Sequence, residues 1–148
     1  MLHPDDPYLQ RTIQELAAYE EDLWYHLEHV PQLPSTIGLT ILSGFLEQAC
    51  QSQHVSNILI GRAGIQRLPR AWVLQHIEQQ AEPLLQLDDD WEYLRLVEVY
   101  WSLDKALVQN LAHRALKSTN HAVREVGQDC LKKLADPVAK LAVNYWET

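Results

Sequence analysis

The chain has 148 residues, of which 47% are hydrophobic and 22% charged, the composition of a folded globular protein and not of a disordered one. Its formal net charge of −8 argues against nucleic acid as a partner, because phosphate binding requires Lys and Arg. No run of about 18 apolar residues is present, so we expect no membrane-spanning segment and no membrane partner. Residues 1–6 lack the basic start and apolar stretch of a signal peptide, which predicts a cytoplasmic protein.

Apolar residues recur at steps of three and four through most of the chain, which predicts helices. Pro31 and Pro34 end the first helix, and an acidic cap within Asp88–Asp90 begins the fifth. In chain order, the predicted helices cover approximately residues 6–29, 35–51, 55–67, 70–85, 90–103, 104–116, 120–134 and 136–146. No segment shows the alternation of a strand, so the sequence predicts an all-α fold.

Two of these helices carry the same pattern of aliphatic and small residues. Residues 60–68 read IGRAGIQRL, and residues 126–134, 66 positions later, read VGQDCLKKL. On a helix the matching positions share one face, where small residues let a neighbouring helix approach closely. The offset equals two periods of 33 residues, which favours stacked helix pairs over unrelated helices.

A family resemblance rests on two short segments, Asp90–Arg95 and Asn120–Arg124. Each has an acidic or amide cap, a short spacer, and then an aliphatic residue followed by Arg. In this order of residues, the stretch from position 88 to 134 resembles HEAT repeats. The resemblance implies an α-solenoid whose second helices line a concave surface used for protein contacts, with Arg95 and Arg124 bracing the turns between repeats.

On this resemblance we expect a single domain over residues 1–148, built as a short right-handed α-α superhelix of about four stacked helix pairs. The repeat signal is clearest over residues 54–134, and residues 1–53 would be atypical capping helices at the N-terminal end. An irregular helical bundle is the alternative architecture.

Two acidic regions are the candidate binding surfaces. Residues 1–61 hold eight acidic side chains and one basic one, and this imbalance would suit a basic protein partner. We name as the N-terminal acidic cluster the residues Glu20, Glu21, Asp22 and Glu28. A solvated helix face that binds nothing is the alternative interpretation.

The second region combines acids with more aromatic residues than one amphipathic stripe can bury. We name as the acidic–aromatic patch the residues Asp88, Asp89, Asp90, Trp91, Glu92, Tyr93, Tyr100 and Trp101. Tyr and Trp keep a polar atom and are favoured at interfaces, so a contact surface for a basic protein is predicted here. Capping acids beside packed aromatics would give the same sequence.

Histidines and cysteines suggest one further arrangement. Two sets share helix flanks, Asp22 with His26 and His29, and Glu47 with Cys50 and His54; on antiparallel helices they could converge on zinc. Neither an HExxH nor a Glu-x-x-His signature supports this, so no metal and no cofactor is predicted. No GxSxG occurs and neither cysteine has an activating context, so no catalytic residue is nominated.

The leading hypothesis is a protein-binding helical-repeat module, an adaptor or an inhibitor of a basic protein, by analogy like a bacterial immunity protein. One alternative is a HEAT-like lyase or chaperone for a tetrapyrrole chromophore. Another is a metal-binding bundle that uses His26, His29, Cys50 and His54. Homodimerisation is also open, because a short solenoid exposes apolar surface at its ends.

Overall fold

In the computed structural model, residues 2–51 and 53–136 are described. They form seven α-helices and one 3-10 helix, and no strand occurs among them. The all-α prediction is therefore confirmed. The elements are α1 (Pro7–Ala17), a 3-10 segment (Leu23–Gln32), α2 (Ser35–Ala49), α3 (Val55–Arg67), α4 (Arg70–Leu85), α5 (Asp90–Leu103), α6 (Lys105–Ala115) and α7 (His121–Ala135). The helix predicted over residues 136–146 lies almost wholly outside the described residues.

The prediction of one first helix over residues 6–29 is wrong. α1 ends at Ala17, the chain turns through Asp22 in a left-handed conformation with φ 58°, and the 3-10 segment follows. In this segment Leu23, Trp24 and Leu27 are buried, and the segment contacts α1, α2 and α3. A straight helix would carry these side chains away from α2 and α3. Burial of apolar surface outweighs the local helical preference, since most helical stability comes from tertiary packing.

The chain folds as two compact units, Met1–Ala81 and Glu82–Thr148. In the first unit α2 and α3 form the closest helix pair. A β-carbon on Gly61 would collide with the backbone of Phe45 and Ala49, and one on Gly64 would lie 2.6 Å from the Phe45 ring. Phe45 lies opposite Gly64 and Ala49 opposite Gly61, so the two helices run antiparallel. The predicted close approach at the glycines of residues 60–68 is confirmed.

The second unit repeats this packing between α6 and α7. A β-carbon on Gly127 would lie 2.7 Å from the carbonyl oxygen of Ala112 and 2.8 Å from the β-carbon of Ala115. Beside this pair, the buried Tyr93 of α5 donates its hydroxyl proton to the carbonyl of Leu111, at 2.8 Å. The glycine in each copy of the repeated pattern is thus the point where two helices touch.

The single domain over residues 1–148 and the right-handed superhelix stay predictions.

Helix boundaries from α2 onward follow local signals in the chain. Asp89, Asp104 and Asn120 each accept a hydrogen bond from a backbone amide at the start of α5, α6 and α7. Arg124 donates from Nη1 to the carbonyl of Ser118, at 2.9 Å, and so holds the turn before α7. Arg95 is buried within α5, with Nη1 3.2 Å from Glu98.

Candidate functional site

The first unit contains an open groove between α1 and α2, with a volume of about 620 Å³. Its apolar wall is formed by the buried side chains of Leu16, Ile41 and Phe45. Tyr19, which is 46% exposed, follows the last residue of α1 by two positions and adds an aromatic edge. We call this feature the α1–α2 groove, and its size is that of a site for a ligand or an anchoring side chain.

Gly44 keeps the groove open. A β-carbon built at this position meets no other atom within 4 Å, so the missing side chain leaves space where a larger residue of α2 would project. Nearby, Gln48 donates from Nε2 to the hydroxyl of Thr12, at 3.1 Å, and so links the two helices beside the groove. Glycine in a helix interior lowers helix stability by about 1 kcal/mol relative to alanine. Steric crowding does not explain the presence of glycine at position 44, since a β-carbon would fit there.

The charged side chains that line the α1–α2 groove are both carboxylates, Glu15 and Glu47. Both residues are exposed. In the chain, Tyr19 is followed directly by Glu20, Glu21 and Asp22. The groove is therefore apolar within and negative at its rim.

Sequence periodicity explains Leu16, Ile41 and Phe45 as core residues, but it does not show that a gap remains between their helices. The pattern therefore does not predict the groove. The one feature of the sequence that indicates the gap is Gly44, which interrupts the apolar pattern of α2. Unlike Gly61, it has no neighbouring atom that would exclude a β-carbon.

The N-terminal acidic cluster divides into two pairs. Glu21 and Asp22 are exposed. Glu20 lies with Oε2 2.7 Å from Nδ1 of His29, and this hydrogen bond raises the pKa of His29. The backbone amide of Glu28 and then His26 lower the pKa of the Glu28 carboxyl. Glu20 and Glu28 therefore belong to a histidine–carboxylate group, whereas Glu21 and Asp22 face solvent.

The aromatic members of the acidic–aromatic patch separate into core and surface residues. Tyr93 and Tyr100 are buried, so the structure does not present them to a partner. Burial raises the pKa of Tyr93 to about 12. Trp91 is 51% exposed and Trp101 is half-buried. Trp91 is therefore the main aromatic residue of this patch at the surface.

The acidic members of the same patch have local structural roles. Asp88 accepts hydrogen bonds from Ser118, and Asp89 accepts one from the amide of Glu92 as the cap of α5. Glu92 is half-buried, and desolvation, followed by repulsion from Asp89, raises the pKa of its carboxyl. Asp90 is half-buried in the first turn of α5. The patch offers a smaller acidic surface than its sequence suggests.

The two sets of possible metal ligands, one with His26 and His29 and the other with Cys50 and His54, do not converge. His54 caps α3 through Nδ1, which accepts a hydrogen bond from the backbone amide of Asn57. The centroid of its ring lies 4.3 Å from that of the Tyr8 ring. Cys50 is buried. The alternative of a metal-binding bundle depended on one straight first helix, which the structure does not have. Within residues 2–51 and 53–136, the group with metal-binding geometry is instead His26, Glu28 and His29.

Comparison of the chain with models of protein families, with curated proteins and with solved structures found no match in any of the three. Each helix of the described ranges is too short or too polar to cross a bilayer.

Proposed function

We propose that this protein is a binding module whose α1–α2 groove receives a basic, amphipathic helical segment of a partner protein. The observation that carries the proposal is an open apolar groove of about 620 Å³ whose charged lining residues are both carboxylates. An adaptor or an inhibitor of a basic protein would use such a surface.

The shape of the α1–α2 groove supports a helix as its occupant. Two helices, α1 and α2, form its long walls, and an amphipathic helix can lay its apolar face between them with anchors at steps of three and four residues. Leu16 and Phe45 form the apolar floor of the groove, and the exposed Ala18 and the exposed ring of Tyr19 can cover an anchoring side chain. Rigid aromatic residues of this kind frequently dominate interface energies.

The charge around the groove supports a basic partner. Glu15 and Glu47 line the rim, and the exposed Glu21 and Asp22 lie close to it in the chain. Opposed charges at a rim accelerate association and discriminate against wrong partners, and this effect weakens as salt increases. A second copy of this chain, with a net charge of −8, would be repelled, so the charge disfavours a homodimer through this surface.

A matched pair of model peptides tests the proposal. One peptide has the helical pattern of Leu and Lys, and the other has Glu at every Lys position. We expect the Leu–Lys peptide to shift amide NMR resonances of residues 12–19 and 40–48, and the Leu–Glu peptide to leave them unchanged. The double variant E15K/E47K should reverse this preference.

Gly44→Trp tests the groove itself, because the new side chain would enter open space and fill it. We expect affinity for the Leu–Lys peptide to fall at least about tenfold, as expected when a contact worth about 1.4 kcal/mol is lost. Gln66→Trp, at an exposed position of α3, is the control and should bind like the unmodified protein. Equal binding by Gly44→Trp, or shifts confined to other residues, would contradict the proposal.

A further inference from the structure

We propose that His26, Glu28 and His29 form a binding site for one divalent transition-metal ion such as zinc. The site lies on the 3-10 segment and uses none of the residues that line the α1–α2 groove. It is therefore independent of the proposed function.

The distances between the ligand atoms approach those around a tetrahedral ion. Nδ1 of His26 lies 3.4 Å from Oε1 of Glu28, and Nε2 of His29 lies 3.8 Å from the same oxygen. One ligand atom from each of the three residues lies within 4.8 Å of the others. A zinc ion at about 2.1 Å from its ligands places them about 3.4 Å apart in a tetrahedron. Because the two imidazole rings are stacked with nearly parallel planes, both would have to rotate to turn their lone pairs toward one ion and close the remaining difference.

Glu20 prepares His29 to bind a cation. Its Oε2 lies 2.7 Å from Nδ1 of His29, so the Nδ1–H group donates a hydrogen bond to the carboxylate. In the neutral imidazole this leaves the lone pair on Nε2, the nitrogen that faces Glu28. Zinc-binding histidines are commonly oriented by a carboxylate in this way. Glu20 is thus a positioning residue, whereas the other three are ligands.

The backbone holds the ligands together at the surface. Leu23, Trp24, Leu27 and Val30 anchor the 3-10 segment in the core, whereas His26 and Glu28 are exposed and His29 is half-exposed. The rings of His26 and His29 stack with centroids 5.2 Å apart and planes within 10° of each other. His26 adopts a non-helical conformation, with φ −136° and ψ 47°. The ligand spacing follows from this conformation, and an ordinary helix would not reproduce it.

The site would leave at least one coordination position to solvent. His26 and Glu28 are exposed and His29 is half-exposed, so water or a donor atom of another molecule can complete the tetrahedron. Two imidazoles with one carboxylate and an open position are a ligand set that zinc uses in proteins. Two nitrogen ligands also disfavour Mg²⁺ and Ca²⁺, which take oxygen ligands.

Titration of the full, untagged chain with zinc chloride alone, followed by calorimetry, tests the site. We expect one ion per chain, and the visible spectrum of tetrahedral cobalt when Co²⁺ replaces zinc. His29→Ala and Glu28→Gln should each reduce zinc affinity at least tenfold, and Glu20→Ala about tenfold. His113→Ala, at an exposed histidine of α6, should bind zinc like the unmodified protein.

Circular dichroism of each variant would show an unchanged helix content, since the substituted side chains lie at the surface. Absence of stoichiometric zinc uptake would overturn the proposal. Unchanged affinity in the double variant H26A/H29A would also overturn it, because the ion would then bind elsewhere. Unchanged affinity in Glu20→Ala alone would remove the positioning role of Glu20.

Discussion

The hydroxyl of Ser118 lies 2.7 and 2.6 Å from the two carboxylate oxygens of Asp88. This contact joins the segment before α5 to the turn before α7. Asn120 strengthens the link, because its side-chain amide donates to the carbonyl of Asp88, at 2.9 Å. Asp88 also has a left-handed backbone conformation, with φ 52°, which Asp and Asn adopt more readily than most residues. Asp88 is therefore a structural residue and not simply one member of a charged surface.

Asp88→Ala should lower the free energy of unfolding by about 2 kcal/mol, since it removes hydrogen bonds to a charged group and places alanine in the left-handed region. Asp88→Asn keeps the conformational preference and one acceptor, and we expect about half that loss. Guanidinium unfolding followed by circular dichroism measures both. Equal stability of Asp88→Ala and the unmodified protein would show that the link to Ser118 contributes nothing.

The glycines provide a series in which the sign of the effect changes with the space available. Gly127→Ala should destabilise the protein by about 1–3 kcal/mol, because its β-carbon would press against Ala112 and Ala115. Gly61→Ala should be at least as unfavourable, since backbone atoms that cannot rotate away lie in its path. Gly44→Ala should instead stabilise the protein by about 0.5–1 kcal/mol. A thermal shift of the same sign in all three variants would contradict the interpretation.

Cys130 should be protected from thiol reagents in the folded protein. It is 2% exposed, and burial raises the pKa of its thiol from 9.0 to about 11. The thiolate, which is the reactive form, is then about 100-fold less abundant at neutral pH. We expect almost no reaction of Cys130 with a disulfide reagent at pH 7.5, and full reaction in denaturant. The variant Cys50→Ala isolates the signal of Cys130, and rapid labelling of the folded variant would disprove the prediction.

Tyr93 should make the protein less stable in alkali. Its pKa is 10.0 in a model compound and about 12 in the folded protein, so the folded state binds its proton more tightly. This contribution to stability is fully present below pH 10 and is lost as the pH rises through about 12. Between pH 10 and about 12, the free energy of unfolding should fall less in Tyr93→Phe than in the unmodified protein. That variant also loses the hydrogen bond to Leu111, which lowers its stability at every pH. Parallel curves for both proteins would refute the assignment.

Helices α2 to α7 could be predicted closely from the sequence, because their limits depend on neighbours in the chain. Pro34 precedes α2, and Asp89, Asp104 and Asn120 cap the helices that follow them. Such signals act within a few residues of the element they begin. The small residues that allow close helix packing could likewise be recognised, since a shared helix face follows from spacing alone.

Tertiary structure decided what the residues before α2 do. The segment from Glu20 to His29 has a spacing that a helix would accept, and only the burial of Leu23 and Trp24 against other helices makes it fold back after α1. Within the segment, the non-helical backbone at His26 groups that residue with Glu28 and His29, and Asp22 is not part of the group.

The same distinction explains the functional surfaces. Acid content by itself indicated a preference for a basic partner, because charge is a property of composition. Which acids remain available depends on contacts distant in the chain, such as those of Asp88 with Ser118. The gap beside Gly44 depends on how far α1 lies from α2. The sequence by itself determined the helices from α2 onward and the charge, which are local or additive properties. Only the tertiary structure decided the groove, because it depends on the distance between α1 and α2. It also decided the histidine–carboxylate group, because the backbone conformations at Asp22 and His26 set the geometry of that group.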